Sequence, residues 1–137
     1  MSETFPLTID VKTQEHTQFV NITDKVRRVL PKEFTGACLL FCQHTTAGLT
    51  INENADPNVV RDMIAHLEEM VPWRSSKFRH MEGNSAAHIK SSLMGPGLTV
   101  PVHKGKLMLG TWQSIYFCEF DGPRSRLVTV QLLPAYA

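Results

Sequence analysis

Gly110-Thr111-Trp112-Gln113-Ser114-Ile115-Tyr116-Phe117-Cys118-Glu119-Phe120, then Asp121-Gly122-Pro123-Arg124, then Arg126-Leu127-Val128-Thr129-Val130-Gln131-Leu132 is the stretch on which the fold turns. The first run is long and rich in aromatic and β-branched residues, the second has turn composition, and the third reads as the return strand. Strands of this kind recur outward from it. Leu98 to Val102 alternates in polarity, His103-Lys104-Gly105-Lys106 is a tight basic turn, and Leu107-Met108-Leu109 resumes the strand. Leu7, Ile9 and Val11 alternate with Thr8, Asp10 and Lys12 as a half-buried strand, and Gln18 to Ile22 is expected as its hairpin partner. Ala37 to Cys42 is apolar on both parities, as in a strand covered on both faces. Leu49 to Asn52 alternates again.

Helices interrupt this series. Asp24 is placed to cap a short one through Val26, Val29 and Leu30 that Pro31 closes. Asp56-Pro57 is a strong helix start, and Val59, Val60, Met63, Ile64, Leu67, Met70 and Val71 follow at three- and four-residue spacing until Pro72. His66 lies at the margin of that stripe and reads as a boundary residue. Pro72 to Phe78 reads as a loop. Asn84 is a good N-cap for a helix that carries His88, Ile89 and Leu93 and stops at Gly95-Pro96. Strands joined by short turns, with two to three helices, predict an α+β fold built on an antiparallel β-sandwich, in one domain over residues 1–137.

Composition narrows the function. A formal charge of +1 offers no electrostatic case for a nucleic-acid or membrane partner, and no apolar run approaches the ~20 residues that span a bilayer. The opening MSETFPLTIDVK has neither the basic start nor the apolar block of a secretory signal. The three cysteines are an odd number. Cys38 and Cys42, four strand residues or about 13 Å apart, are too distant for a disulfide within the strand. Reduced, buried thiols in a cytoplasmic protein are the economical expectation. Cys42 shares strand parity with His44, which makes it a candidate nucleophile or soft ligand beside its plainer role as a small core residue.

The chemistry gathers on histidines. His44 ends a core strand, His80 precedes the Asn84 cap, and His88 sits in the first turns of the helix, where the positive helix end disfavours the imidazolium. Three imidazoles without a fourth protein ligand leave an open coordination position, as in catalytic zinc sites. The bland alternative is a solvent-facing helix whose histidines do nothing. Glu53, Glu82 and Glu119 are candidates for orienting ligands or for acid/base work.

These residues carry a resemblance. His44-Thr45-Thr46-Ala47-Gly48-Leu49-Thr50-Ile51-Asn52-Glu53-Asn54 with Asp56-Pro57 resembles the first signature of the YjbQ-like family, also called secondary thiamine-phosphate synthase. His88-Ile89-Lys90-Ser91-Ser92, Pro101-Val102-His103-Lys104-Gly105 and Gly110-Thr111-Trp112-Gln113 are similar to its later signatures, so the match runs nearly end to end. The resemblance implies a small cytosolic homotrimer with an antiparallel sandwich. It puts a divalent metal, zinc or magnesium, on His44, His80 and His88.

The implied activity joins hydroxymethylpyrimidine diphosphate to thiazole phosphate, with release of diphosphate, as a side activity. Displacing diphosphate calls for cations and N–H groups at the leaving oxygens. Asn84 at the helix start, Lys90, Thr111 and Arg124 are therefore the expected substrate contacts, with Arg126 as a further cation. Glu53, Glu119 and Gln113 are the expected catalytic residues. Lys104 and Lys106 read as solvated, and Trp112 as core or interface. The second reading is a non-catalytic trimeric module that binds a metal or small ligand.

Overall fold

The computed structural model describes residues 4–136. Eight strands and three helices follow in the order β1 (Leu7–Lys12), β2 (Gln18–Asn21), α1 (Thr23–Val29), β3 (Gly36–Cys42), β4 (Ala47–Glu53), α2 (Pro57–Met70), α3 (Ser85–Met94), β5 (Gly97–His103), β6 (Lys106–Leu107), β7 (Gln113–Glu119) and β8 (Ser125–Pro134). All strand pairs are antiparallel. They form a five-stranded sheet, β1-β8-β3-β5-β6, and a three-stranded sheet, β2-β7-β4. The fold is α+β, as expected.

The small sheet is covered on both sides. Ile115 and Phe117 of β7 join Leu49, Leu40, Val11 and Val128 in the core between the sheets. The alternate residues Tyr116 and Cys118 meet Phe19, Phe120, Leu67 of α2 and Ala87 of α3 in a second core. This accounts for the unbroken apolar reading of β7, because each parity has its own apolar layer to enter. The α2 start is as anticipated: the Asp56 carboxylate accepts the Asn58 N–H at 2.9 Å with Pro57 in the first turn.

Two pairings differ from the sequence expectation. Gln18–Asn21 is not the hairpin partner of β1, because β2 pairs with β7 in the other sheet. Likewise β8 does not return along β7. The turn Asp121–Arg124 carries the chain from the small sheet to the large one. Residues 43–46, between β3 and β4, make a third such crossing. The register places all three at one end of the sandwich, where Lys12 opposes Ser125, Cys42 opposes Val128, and Ala47 and Gln18 both oppose Glu119.

β3 also departs from its reading. Cys38, Leu40 and Cys42 are buried, but Phe41 on the opposite face is 43% exposed, as are Leu127 (42%) and Leu133 (50%) of the neighbouring β8. Within one chain, the outer face of the large sheet carries an uncovered apolar stripe.

Candidate active-site cleft

The crossing end of the sandwich is built around one buried ion pair. Glu119 is fully buried and Arg126 nearly so. The Arg126 guanidinium forks onto both Glu119 oxygens, with Nε 2.8 Å from Oε1, and its terminal nitrogen also donates to the Thr46 hydroxyl at 2.9 Å. Glu119 accepts in addition from the Thr13 hydroxyl (2.8 Å) and the Asp121 N–H (3.0 Å). One carboxylate thus ties together all three crossings. Burial alone would raise its pKa, but the bonds from Arg126, the Asp121 N–H and Thr13 outweigh burial and hold it below the ordinary value of 4.5. The acid/base role expected for Glu119 is therefore corrected. Its oxygens are committed, and it serves to position others.

Above this pair lies a cleft of about 440 Å³ that His44, His80 and His88 all line, with Glu82, Asn84, Asp121, Arg124 and Arg126. The three histidines arrive by separate routes, His44 on the β3–β4 crossing, His80 on the loop before α3 and His88 on α3 itself. Their commitments differ. His44 Nε2 accepts the N–H of Leu127 at 3.0 Å, next to the last β3–β8 pair. Its neutral ring then carries the proton on Nδ1. Burial, followed by the Arg126 charge, lowers its pKa and keeps it neutral. In that state neither nitrogen offers a lone pair to a metal, and His44 presents an N–H donor instead.

His80 and His88 meet edge to face with ring centres 5.3 Å apart. With zinc–nitrogen bonds of about 2.0–2.1 Å at tetrahedral angles, two imidazoles on one ion have ring centres roughly 5 Å apart. The pair fits a shared ion. Among the described residues, no three His, Cys, Asp or Glu side chains are grouped tightly enough to hold an ion as they stand. The fit extends to two of the three expected ligands, with Glu82 3.8 Å from His80 Nε2 as the nearest carboxylate.

Asp121 was legible only as a turn residue, yet it is the cleft's central carboxylate. Its Oδ2 accepts from Asn84 Nδ2 (2.9 Å) and Arg124 (3.2 Å), its carbonyl accepts from Arg124 Nε (2.8 Å), and His16 Nε2 stands 3.7 Å from Oδ1. The Asn84 side chain makes no capping bond to α3, contrary to expectation, and its buried Oδ1 has no hydrogen-bond partner. An orphaned buried acceptor costs about 1–3 kcal/mol. The fold bears that cost while Asn84 Nδ2 is held on Asp121.

Four expected site residues lie elsewhere. Glu53 opposes Gln113 at the far end of the β4–β7 pair, six residues or about 20 Å from the Ala47–Glu119 end. Gln113 Oε1 accepts the Gly110 N–H at 2.8 Å and closes the turn that holds Thr111. Trp112 beside them is 64% exposed, so it is not core. Lys90 is 1% exposed, and its ammonium is bound to Glu68 at 2.9 Å instead of facing the cleft. Lys90→Met is accordingly expected to leave activity unchanged and stability within about 1 kcal/mol of the parent. Glu68→Ala, which strands the ammonium, is expected to lower stability by about 1–3 kcal/mol in urea titration. A Lys90→Met chain that loses turnover while folding normally would return Lys90 to the site.

The cysteines are free and buried. Burial pushes the Cys38 thiol up to about 11 and raises Cys42 and Cys118 as well. Cys42, at 2% exposure with Sγ 3.6 Å from the Ala47 carbonyl, is a core residue and not a nucleophile. No helix among the described residues is long and apolar enough to cross a membrane.

Residues 7–135 match the sequence model of a family described as UPF0047 protein YjbQ-like. The chain is 49% identical over 128 residues to UPF0047 protein YugU of Bacillus subtilis, which covers 92% of this chain and 97% of that one. It is 46% identical over 125 residues to a UPF0047 protein of Methanocaldococcus jannaschii, 90% of each chain. Two crystal structures resemble it closely. A YjbQ/UPF0047-family protein of Clostridium acetobutylicum has 47% identity and a TM-score of 0.88, covering 93% of this chain and 99% of that one. A conserved hypothetical protein of Thermus thermophilus has 47% identity and a TM-score of 0.89, covering 93% of this chain and 99% of that one.

Proposed function

The chain belongs to the YjbQ-like UPF0047 family, and within it we propose a cytoplasmic, homotrimeric, metal-dependent enzyme acting on a small phosphorylated or heterocyclic substrate. The observation that carries this reading is the convergence of His44, His80, His88, Asp121 and Arg124 on one polar cleft from four separate segments. Of the expected zinc or magnesium, the imidazole nitrogens of His80 and His88 suit zinc, and they would hold a divalent ion that would neutralise charge on phosphoryl oxygens. Arg124, oriented by Asp121 and with half of its side chain exposed, receives anionic oxygens of the substrate. His44 donates from Nδ1. Thiamine-phosphate synthesis is the detectable activity, a side reaction. The C–O bond to diphosphate breaks, the thiazole nitrogen forms the new C–N bond, and diphosphate leaves with the electron pair.

The trimer is supported by the apolar stripe of Phe41, Leu127 and Leu133, which a second copy would cover. Assembly would also give Glu53, Thr111 and Gln113 a route to a neighbour's cleft, which they lack within their own chain. Three free, buried thiols suit a reducing compartment.

Metal analysis and turnover of both thiamine precursors, in the parent and in His88→Ala, test the proposal. The parent is expected to hold about one ion per chain, and the variant to lose it together with at least about a hundredfold in turnover. Equal turnover, with metal in neither protein, would reject it. The second reading, a non-catalytic binding module, is favoured by one observation: Glu119 is wholly committed and Glu53 and Gln113 are remote. Stoichiometric, slowly exchanging metabolite binding without turnover would identify it.

A further inference from the structure

The formal charge of +1 is a sum over an uneven surface. Residues 24–35 and 103–106 hold Lys25, Arg27, Arg28, Lys32, Lys104 and Lys106, six of the 14 basic side chains, against Asp24 and Glu33, two of the 13 acidic ones. The fold joins the two segments. The Gly105 N–H donates to the Phe34 carbonyl at 2.7 Å, and the Lys104 N–H donates to the Thr35 hydroxyl at 2.9 Å. A Cβ on Gly105 would lie 2.9 Å from the Lys32 Cα. Lys25 and Arg28 share the outward side of α1, one turn apart, because Val26 and Leu30 take the buried side. Since α1 ends just before Lys32, the cations form a row from Lys25 over Arg28 and Lys32 to the β5–β6 turn. Arg27 is bound to Asp24 at 3.0 Å, whereas the other five are exposed and in no ion pair among the described residues.

Two further features mark the row. Lys104 is the one non-glycine among the described residues with a left-handed backbone, at φ 46°, and Gly105 follows at φ 77°. A two-residue hairpin loop of this kind favours Asn at its first position. The chain instead holds a lysine there, in a conformation that a side chain resists. Tyr136 stands fully exposed close by, because the Ala135 N–H is bound to the Thr35 carbonyl at 3.1 Å. The helix dipole accounts for Arg28, since cations suit the last turn of α1. It does not account for Lys32, Lys104 or Lys106, which lie outside the helix.

We propose that this row binds the backbone of a single-stranded nucleic acid, with a base stacked on Tyr136. Successive cations along a line meet successive phosphates, and an exposed aromatic ring at the end of the line takes a base face. A duplex keeps its base faces inside the stack, so it would use the cations but not the ring. The row is separate from the histidine cleft. β3 runs from Gly36, level with Val102 and Pro134 beside the row, to Cys42 at the crossing end, which sets the two about 20 Å apart.

The test is fluorescence anisotropy of a fluorescein-labelled oligo-dT strand of about 20 nucleotides, titrated with the full chain from about 50 to about 200 mM salt. With all five cations on phosphates, log K falls against log [salt] with a slope of about −3.5. Lys104→Asn keeps the turn, because asparagine suits a left-handed backbone, and removes one charge. It is expected to flatten the slope by about 0.7 and to weaken binding about eightfold at about 50 mM salt. Lys32→Gln, Lys104→Asn and Lys106→Gln together are expected to bring the slope to about −1.4. Tyr136→Ala is expected to weaken binding about tenfold at every salt concentration with the slope unchanged, and to leave the affinity for an oligo-dA·dT duplex as in the parent. No binding by the parent at the lowest salt, a slope that survives the triple variant, or a Tyr136→Ala chain that holds the strand as tightly as the parent overturns the proposal. Binding to phosphatidylserine vesicles but not to the strand overturns it too, and would assign the row to a membrane surface.

Discussion

Arg126→Met is expected to lower the unfolding free energy by about 3–5 kcal/mol, because it leaves Glu119 ionised at the centre of the fold with its main counter-charge gone. Glu119 has no access to water, so solvent cannot replace the guanidinium. The loss is also structural, since the Thr46 hydroxyl loses its donor and the β3–β4 crossing is untied from β8. Adding Glu119→Gln to the same chain removes the stranded charge and is expected to restore a large part of the stability. A double variant no more stable than Arg126→Met alone would show that the charge is not what the guanidinium offsets. The pH dependence has a definite sign. The folded-state pKa of Glu119 lies below the ordinary value of 4.5, so the pair's contribution is fully present above that value. It is lost as pH falls through the folded pKa. Urea titrations from pH 7 to pH 3 should show the parent's advantage over Glu119→Gln shrinking only in the acidic part of that range.

The same ion pair explains why parts of the fold could not be read locally. Strand positions followed from alternation, and α2 from Asp56-Pro57 and its apolar spacing. Strand partners did not. Thr13–Thr17 and Phe120–Arg124 are short enough for hairpins and have turn composition, yet both cross between stacked sheets about 10 Å apart. What selects the crossing is the inward-facing Glu119, whose partners Thr13 and Arg126 lie 106 and 7 residues away. No sequence window around Glu119 contains both. Outer-face residues such as Phe41 looked buried because an apolar side chain is written the same way whether or not its own chain covers it.

The site was legible where residue type alone carries the chemistry. His44, His80 and His88 were found because imidazoles are few and reactive, and they do share a cleft. Their roles were not legible, since His44 is set apart by the Leu127 N–H, a contact across 83 positions. Asn84 and Asp121 were legible only in part, for a related reason. Each has a strong local explanation, a helix cap and an Asp-Gly-Pro turn. In each case a partner 37 residues distant decides the side chain's direction.

That partnership makes Asp121→Ala the more informative variant for activity. Without the carboxylate, the Arg124 side chain keeps only its bond to the Asp121 carbonyl, and Asn84, already missing a partner at Oδ1, loses its Nδ2 acceptor too. A second unsatisfied buried atom is expected to cost about 1–3 kcal/mol of stability. If Arg124 receives substrate oxygens as proposed above, freeing it from its best position by about 1 Å is expected to cost about a hundredfold in kcat/KM. On that proposed role the loss should lie mainly in KM, because a cation on the anionic end would hold ground state and transition state alike. Asp121→Asn keeps an acceptor but not the charge, and should retain more activity than the alanine variant. His16→Ala should change kcat/KM less than twofold, since His16 is 3.7 Å from Oδ1 and makes no full hydrogen bond there. Side-chain amide NMR separates positioning from mere loss of fold. In Asp121→Ala the Asn84 NH₂ resonances should move and broaden while the β7 and β8 amides stay in place. If Asp121→Ala keeps the parent's kcat/KM while Arg124→Ala loses it, then Arg124 does not need its carboxylate, and the cleft is organised by the histidines alone.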